Sequence, residues 1–343
     1  MKKLLALALT ALLLTGCAAG PDAQPQPETG ALREEPTATS EAVPVPQEEL
    51  YTDTAVPEIP EPEAEAELFA EPPEPVRPDI LEPVASGELV AENPKAVIDY
   101  SHAEDGYVMV RYTADRDCRL KVRVENRTTY TYDLTPGQWS VLPLTDENGT
   151  YQIRVYENTS GSSYALAMGA EIEVVLKDEF APFLRPNQYV DFSEATRAVE
   201  IAWELTKDVE DTLGKVEAVY KYVVRELTYD REKARTVKSG YIPDLDAVLE
   251  AKKGICFDYA ALMTAMLRSQ GIPCKMVFGY TGGAYHAWIS VWTETEGWVD
   301  GAIFFDGIAW QRLDPTFASY EGGSEEIMRY IGNGSNYQEK YFY

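Results

Sequence analysis

Three residues in the C-terminal part of this 343-residue sequence are of the types that thiol acyl-transfer chemistry needs. Cys256 lies in Gly-Ile-Cys-Phe-Asp-Tyr-Ala, His286 lies thirty residues later in Tyr-His-Ala-Trp, and Asp314 lies in Leu-Asp-Pro-Thr. A thiol attacks as the thiolate, an imidazole accepts and returns the proton, and a carboxylate holds that imidazole in one tautomer. Only two histidines occur in the whole chain. Types and order together predict a catalytic triad.

The elements around these residues can position them. A helix is predicted to begin at Cys256, and Gly271-Ile272-Pro273 ends it, because glycine closes helices and proline prevents their continuation. A helix N-terminus stabilises a thiolate through its unpaired N–H groups. Alternation predicts strands at 275–280, 286–293 and 308–313, which carry the histidine and the aspartate. A helix packed on such an antiparallel sheet is an α+β architecture.

Four blocks of sequence then carry a family resemblance. Gly-Ile-Cys-x-Asp-Tyr-Ala, Leu-Arg-Ser-Gln-Gly-Ile-Pro, His-Ala-Trp and Trp-x-x-Leu-Asp-Pro-Thr resemble the core of the transglutaminase-like superfamily, a papain-like thiol fold, over residues 213–318. The resemblance implies that Cys256 is the nucleophile, His286 the base and Asp314 the third member of the triad.

Two assignments have rivals. The 27 residues between His286 and Asp314 are more than the compact hairpin usual in the family, so Asp300 in this longer segment competes for the carboxylate role. Asp314 carries the fuller motif and is preferred. Tyr229 resembles the aromatic that supplies the second oxyanion donor in such proteins, with Tyr241 as its rival in the same loop, and a buried structural tyrosine is the alternative.

The N-terminus predicts export. Lys2 and Lys3 precede the apolar run 4–14, which is too short to span a bilayer as a folded helix and is typical of a secretory signal. Residues 1–17 end in Leu-Thr-Gly-Cys, which resembles a bacterial lipobox with Cys17 as the lipidated residue. The lipid would anchor the chain on the extracellular face of the cell membrane. An ordinary signal peptide is the alternative.

Residues 18–92 have the composition of a disordered tether. Between residues 21 and 90 lie 14 of the 22 prolines, with 18 acidic residues and two basic ones. Such a segment cannot bury a core. Most of the net charge of −27 therefore belongs to this Pro/Glu-rich linker. The remainder is still acidic, which argues against nucleic-acid binding.

The predicted folded part has two domains. Residues 93–180 alternate apolar and polar side chains at 107–113, 120–124, 130–134 and 151–156, which predicts an all-β, immunoglobulin-like sandwich. Its residues Tyr130, Tyr132 and Trp139 could form cross-strand pairs or an exposed binding cluster.

Residues 190–343 form the predicted transglutaminase-like domain. Ser193 is expected to cap a helix that runs to about Val209, an apolar stripe from Val216 to Val224 predicts a second helix, and a short helix follows at 245–250.

Cysteine and ligand spacing bear on cofactors. If Cys17 carries lipid, three cysteines remain, Cys118, Cys256 and Cys274, and an odd number cannot all pair within the chain. A helix that starts at Cys256 would place Cys274 too far away for a disulfide between these two residues. Neither Cys-x-x-Cys nor His-x-x-x-His spacing occurs, and no calcium-loop pattern is present. A reaction without cofactor or metal is expected.

The sequence therefore predicts a monomeric, cell-surface thiol enzyme. It would act on amide bonds of a protein or a cell-wall peptide through a thioester, with water or an amine as acceptor. The alternative is a catalytically silent cell-surface or cell-wall binding module that retains the fold. A third hypothesis makes the sandwich the binding part.

Overall fold

The computed structural model describes residues 75–281, 284–294, 297–300, 303–305, 310–312 and 337–343. All of these residues belong to one structural unit, Glu71–Tyr343. Cys17 and most of the predicted tether lie outside the described residues. No helix in the described part of the chain combines the length and apolar character needed to cross a bilayer.

Alternating buried and exposed residues form the strands of the first half. These are β1 (Val90–Glu92), β2 (Ala96–Asp99), β3 (Tyr107–Tyr112), β4 (Leu120–Glu125), β5 (Thr129–Leu134), β6 (Trp139–Pro143), β7 (Gly149–Ser160) and β8 (Ser163–Val174). They make two antiparallel sheets, ordered β1-β2-β3-β6 and β5-β4-β7-β8, whose buried side chains belong to one core. The four predicted strands are confirmed, and the immunoglobulin-like classification stays a prediction.

Backbone pairing begins before residue 93, the predicted start of the first folded domain. Val90 pairs with Asp99 in the β1–β2 ladder, and the Gly87 N–H donates to the Asp99 carboxylate at 2.8 Å. Further upstream, the Val84 N–H donates to the Tyr107 hydroxyl at 3.0 Å. Composition alone does not show where this folded part begins, because a strand of three residues barely changes the average composition of a long acidic, proline-rich segment.

The helices of the second half are α1 (Arg197–Thr206), α2 (Thr212–Glu226), α3 (Arg231–Thr236), α4 (Leu245–Ala251) and α5 (Cys256–Arg268). The predicted helices α2, α4 and α5 are confirmed. The expectation that Ser193 caps α1 is wrong, because the N-cap is Thr196 and its N–H bonds to the Ser193 carbonyl in a preceding turn. Helix α3 had no apolar stripe to reveal it, since none of its residues is buried.

The remaining strands are β9 (Thr228–Tyr229), β10 (Lys253–Gly254), β11 (Cys274–Thr281), β12 (Ala284–Thr293), β13 (Gly297–Asp300), β14 (Ile303–Phe305), β15 (Trp310–Arg312) and β16 (Tyr337–Phe342). Four of them form an antiparallel sheet ordered β13-β12-β11-β16, and α5 packs against β11 and β12. This confirms the predicted strands of Lys275 and His286. The predicted strand 308–313 is confirmed at β15, and its other residues lie outside the described part.

The C-terminal strand joins the sandwich to the second half. The Tyr343 ring meets those of Tyr130 and Tyr132 edge-on, with centroids 5.5 and 5.8 Å apart, and the Thr145 hydroxyl donates to the Phe342 carbonyl at 3.1 Å. Tyr130 and Tyr132 are buried, so the hypothesis that they belong to an exposed binding cluster is wrong. Residues from both predicted domains share one hydrophobic core.

A buried arginine ties three segments together behind α5. The Arg268 guanidinium donates to the carbonyls of Cys274 at 2.8 and 2.9 Å, of Arg185 at 2.7 Å and of Tyr343 at 2.6 Å. Burial lowers the pKa of Arg268 to about 10. The end of the nucleophile helix is thereby fixed to β11, to the chain terminus and to the connector from the sandwich.

Candidate active site

Cys256 is the first residue of α5, as its sequence predicts. Ile255 before it is extended, with φ −99° and ψ 176°, so the chain turns sharply into the helix at the cysteine. The thiol is half-buried, and Cys118, Cys256 and Cys274 are all free in the structure. Burial raises the pKa of the Cys274 thiol to about 11, which makes it an unreactive core residue.

A buried carboxylate fixes the turn that carries Cys256. The Asp258 side chain is fully buried, and its Oδ2 accepts the N–H of Ile255 at 2.7 Å. A carboxylate in the first turn that accepts the N-cap N–H is half of a capping box. The same carboxylate accepts the Lys233 ammonium at 2.8 Å and the Tyr241 hydroxyl at 2.5 Å. Charge-assisted bonds of this kind are the stronger ones.

Lys233 and Tyr241 also contact one another. The Lys233 Nζ donates to the Tyr241 hydroxyl at 2.5 Å and lies 4.2 Å from the centre of its ring. Burial, together with the hydrogen bond to Asp258 and the charge of that carboxylate, raises the pKa of Tyr241 well above its usual value. Asp230 begins the helix that carries Lys233 by accepting the Lys233 N–H at 2.9 Å. We call Lys233, Tyr241 and Asp258 the polar triangle.

A short parallel pairing brings Tyr229 near the nucleophile. Tyr229 pairs with Gly254, two residues before Cys256, and the Asp230 N–H donates to the Gly254 carbonyl at 2.8 Å. Tyr229 is therefore in a strand, not in the loop expected for it. The Tyr241 hydroxyl donates to Asp258, which argues against Tyr241 as the oxyanion donor. That role stays a prediction.

His286 lies on β12, directly opposite Gly279 on β11. The imidazole is buried and stacks on the indole of Trp288, with centroids 6.1 Å apart and planes inclined by 24°. Trp288 in turn meets Tyr337 edge-on at 5.1 Å. A Cβ on residue 279 would clash with the Gln338 carbonyl oxygen and lie 2.6 Å from the Trp288 ring, so glycine is needed where β16 and this indole approach β11.

Helix α5 packs against β12, the strand that carries the histidine. Tyr285 is the residue before His286, and its pKa is raised to about 12 by burial first and then by the charges of Tyr341, Tyr280 and Cys256. The thiol is therefore near enough to the Tyr285 side chain to affect its pKa. Side chains alternate along a strand, so the Tyr285 and His286 side chains leave opposite faces of the sheet. Direct contact between the Cys256 Sγ and the imidazole stays a prediction.

The two rival carboxylates are placed differently. Asp300 lies opposite Ser290, four residues along β12 from His286, which is about 13 Å at the usual rise of a strand. That backbone position disfavours a direct pairing between Asp300 and the imidazole. Asp314 lies outside the described residues, and its role in the triad stays a prediction.

Comparison with known proteins decides the family of this segment. Residues 199–315 match the family model of the transglutaminase-like superfamily. Residues 199–315 are a transglutaminase-like domain. The chain as a whole therefore has a mixed α/β structure with a transglutaminase-like fold in its second half.

Individual relatives match the transglutaminase-like domain over short stretches. YebA of Bacillus subtilis is 31% identical over 124 residues, 30% of this chain and 17% of YebA. A protein-glutamine gamma-glutamyltransferase of Pseudomonas aeruginosa is 32% identical over 97 residues, 24% of this chain and 14% of that enzyme. The chain thus spans under a fifth of the length of both relatives. The structure of red sea bream transglutaminase is similar over 66% of this chain and 53% of that protein's chain, with 12% identity and a TM-score of 0.29.

Sequence reasoning missed two parts of this transglutaminase-like site. Asp258 lies in the quoted motif, and a carboxylate at the third residue of a helix is a recognisable capping signal. Lys233 gave no signal, because nothing in a short polar helix shows that it reaches a carboxylate 25 residues away. Both residues belong to the transglutaminase-like domain.

Proposed function

We propose that this chain is an extracellular, lipid-anchored thiol enzyme that acts on amide bonds through a Cys256 thioester. One observation carries the proposal. Cys256 begins a helix whose first turn is fixed by the buried Asp258, and that helix packs against the strand of His286 within a transglutaminase-like domain. A nucleophile held on rigid elements is what acyl transfer requires.

The proposed reaction has two halves. The Cys256 thiolate attacks the carbonyl carbon of the amide, the C–N bond breaks, and the amine leaves with a proton from the His286 imidazolium. Water or a second amine then attacks the thioester while His286 accepts its proton, and the thiolate is released. Asp314 orients the imidazole, and the N–H of Cys256 with a side chain such as Tyr229 stabilises the oxyanion.

The acceptor decides the type of enzyme. The relative from P. aeruginosa is named a protein-glutamine gamma-glutamyltransferase, a name that describes transfer of a glutamyl group. Because this chain spans only 14% of that protein, hydrolysis and transfer are both retained here. Mass spectrometry of Cys256 after exposure to wall peptides and surface proteins would identify the trapped acyl group. A fluorescent primary amine, added with the substrate, would separate transfer from hydrolysis.

Alkylation by iodoacetamide near pH 7 tests the enzyme proposal. We expect Cys256 to react at least about tenfold faster than Cys118, and His286→Gln to remove that advantage. His102→Gln is the matched control, because His102 is the chain's other histidine and bonds only to Asp105 among the described side chains, at 3.0 Å. Equal rates at Cys256 and Cys118, with activity unchanged by Cys256→Ala, would favour the silent binding module.

The anchor has its own test. A Cys17→Ser variant should lose incorporation of labelled fatty acid and appear in the culture medium, since a lipid on one residue is the proposed tether. A variant that still fractionates with membranes would contradict this part of the proposal without affecting the thiol chemistry.

A further inference from the structure

An aromatic cavity of about 300 Å³ adjoins the first turn of α5, the helix that begins at the candidate nucleophile. The ring of Phe257, the residue after Cys256, forms one wall, and Tyr285, the residue before His286, forms another. We call it the aromatic cavity, and its aromatic lining consists of Tyr189, Tyr241, Phe257, Phe278, Tyr285 and Tyr343. Its volume is at the lower end for ligand sites, which suits a side chain more than a whole molecule.

The walls of the aromatic cavity come from three parts of the chain. Phe257 meets Phe278 at 4.9 Å, Phe278 stacks on Tyr285 at 5.8 Å, and Tyr189 meets Tyr343 at 4.7 Å. Strand β5 of the sandwich closes the opposite side through Thr131 and Asp133. Tyr189, Tyr343 and β5 all lie outside the segment 199–315 that matches the family. The cavity therefore depends on how this chain joins its sandwich to the thiol domain.

Among the described residues, the side chains that line this cavity carry no net charge. Lys121 and Asp133 at the rim neutralise each other in an ion pair of 2.9 Å. Burial raises the pKa of Tyr285 to about 12 and the pKa values of Tyr189 and Tyr343 well above their usual value, so these phenols stay neutral. A charged occupant would lose hydration and find no unpaired opposite charge among these described lining residues, whereas a neutral ring would bury apolar surface.

The Tyr285 ring supplies an open face for such an occupant. It is 54% exposed, although Phe278 stacks on its other side. Aromatic pairs favour offset-stacked or edge-to-face contacts, and both geometries already occur among the walls. A ring that entered from the solvent could therefore continue the packing that the walls begin.

We propose that the aromatic cavity is a substrate subsite that binds a neutral aromatic side chain next to the amide bond that Cys256 attacks. The subsite rests on the proposed function. It makes the enzyme selective for amides near Phe, Tyr or Trp, and it gives the sandwich a part in choosing the substrate.

The test uses small thiol-directed probes on the full chain. N-chloroacetyl amides of phenylalanine, alanine and lysine are compared by following Cys256 alkylation with mass spectrometry, and iodoacetamide measures intrinsic reactivity. We expect the phenylalanine probe to react about tenfold faster than the alanine probe, as burial of one aromatic side chain implies. The lysine probe should show no such gain.

Variants on the sandwich side locate the effect. Thr131→Trp should fill the cavity and bring the phenylalanine-to-alanine ratio near one, with the iodoacetamide rate unchanged. Thr129→Trp is its matched control, since Thr129 and Thr131 are both exposed on β5 and only Thr131 lines the cavity. Ile242→Ala, which removes part of the wall, should lower the ratio even if Thr131→Trp folds poorly.

Each failure has a distinct meaning. A fast iodoacetamide reaction with equal rates for the phenylalanine and alanine probes overturns the subsite and leaves the enzyme proposal standing. Preference for the lysine probe, or a ratio that survives Thr131→Trp and Ile242→Ala, also overturns it. A Cys256 no more reactive than Cys118 toward iodoacetamide overturns both proposals.

Discussion

The Asp258 carboxylate accepts the N–H of Ile255 at 2.7 Å, and Ile255 is the residue that precedes Cys256. A side chain one turn into the helix therefore closes the bend that presents the thiol. Because this carboxylate is fully buried and also holds the Lys233 ammonium, the bend is fixed by a charged network inside the protein and not by solvent. The first three predictions concern this network.

Asp258→Asn should destabilise the fold and slow alkylation of Cys256. The amide keeps the shape of the side chain but leaves the Lys233 charge without its partner, which costs about 3 kcal/mol for a largely buried pair. Urea unfolding measures the free energy. The control is Asp211→Asn, because Asp211 caps α2 through the Gly214 N–H at 2.8 Å and asparagine caps nearly as well. Equal losses for the two variants would contradict a special role for Asp258.

Tyr241→Phe should have a smaller effect of the same kind. It removes the hydroxyl that donates to Asp258 and accepts from Lys233, and keeps the ring. A lost hydrogen bond to a charged group corresponds to about 1.5–3 kcal/mol of unfolding free energy. Tyr156→Phe, at a partly exposed position on β7, should stay within about 0.5 kcal/mol. A loss in Tyr241→Phe no larger than in Tyr156→Phe would argue against the polar triangle.

Gly254→Ala should disturb the nucleophile turn through sterics alone. A Cβ at this position would lie 2.6 Å from the Asp258 Cβ, so the helix start must shift. Overpacking of this kind costs about 1–3 kcal/mol, and we expect slower Cys256 alkylation as well. Gly169→Ala on β8 is the control, since its nearest neighbours would be 3.8 Å away. Thermal unfolding compares the stability of the two variants. A Gly254→Ala variant as stable as the wild type would show that the turn can accommodate a methyl group.

Arg268→Met should destabilise the junction behind α5. The methionine fills the space of the arginine stem but leaves the carbonyls of Cys274 and Arg185 without the guanidinium donor, at about 1–3 kcal/mol for each buried group. The Tyr343 oxygen loses the guanidinium as well but keeps the N–H of Met276 at 2.9 Å. Arg225→Met on the exposed face of α2 should change little. Hydrogen exchange at β16 would report whether the terminal strand loosens, and unchanged protection there would contradict the proposed tie.

The Tyr130→Phe variant should lose less stability than the wild type as the pH rises above 10. Burial, the largest cause, raises the pKa of Tyr130 from 10.0 to about 12. The unfolded chain therefore releases its proton first, so stability is complete below pH 10 and falls as pH rises toward 12. In that window the wild type should lose up to about 1.4 kcal/mol per pH unit more than the variant. Urea unfolding at several pH values gives the unfolding free energy of both proteins. If the two free energies fall in parallel between pH 10 and pH 12, the assignment to Tyr130 is wrong.

The local sequence pattern was sufficient to predict most of the helices and strands that carry the site. The helix that begins at Cys256 and the strand that carries His286 are where the sequence predicts them, because start signals and alternation are properties of neighbouring residues. Elements with weak local signals were missed. Helix α3 buries none of its residues, and β16 pairs with the distant β11 alone among the described strands.

The sequence by itself determined the reactive residue types, their order along the chain and the transglutaminase-like domain that holds them. Only the tertiary structure decided what surrounds them. Lys233 and Tyr241 meet Asp258 from another helix and loop, and Tyr343 meets Tyr132 across more than two hundred residues of chain. Such contacts leave no periodic trace in the sequence, because they depend on where whole elements come to rest. The polar triangle, the shared core and the aromatic cavity are consequences of that packing.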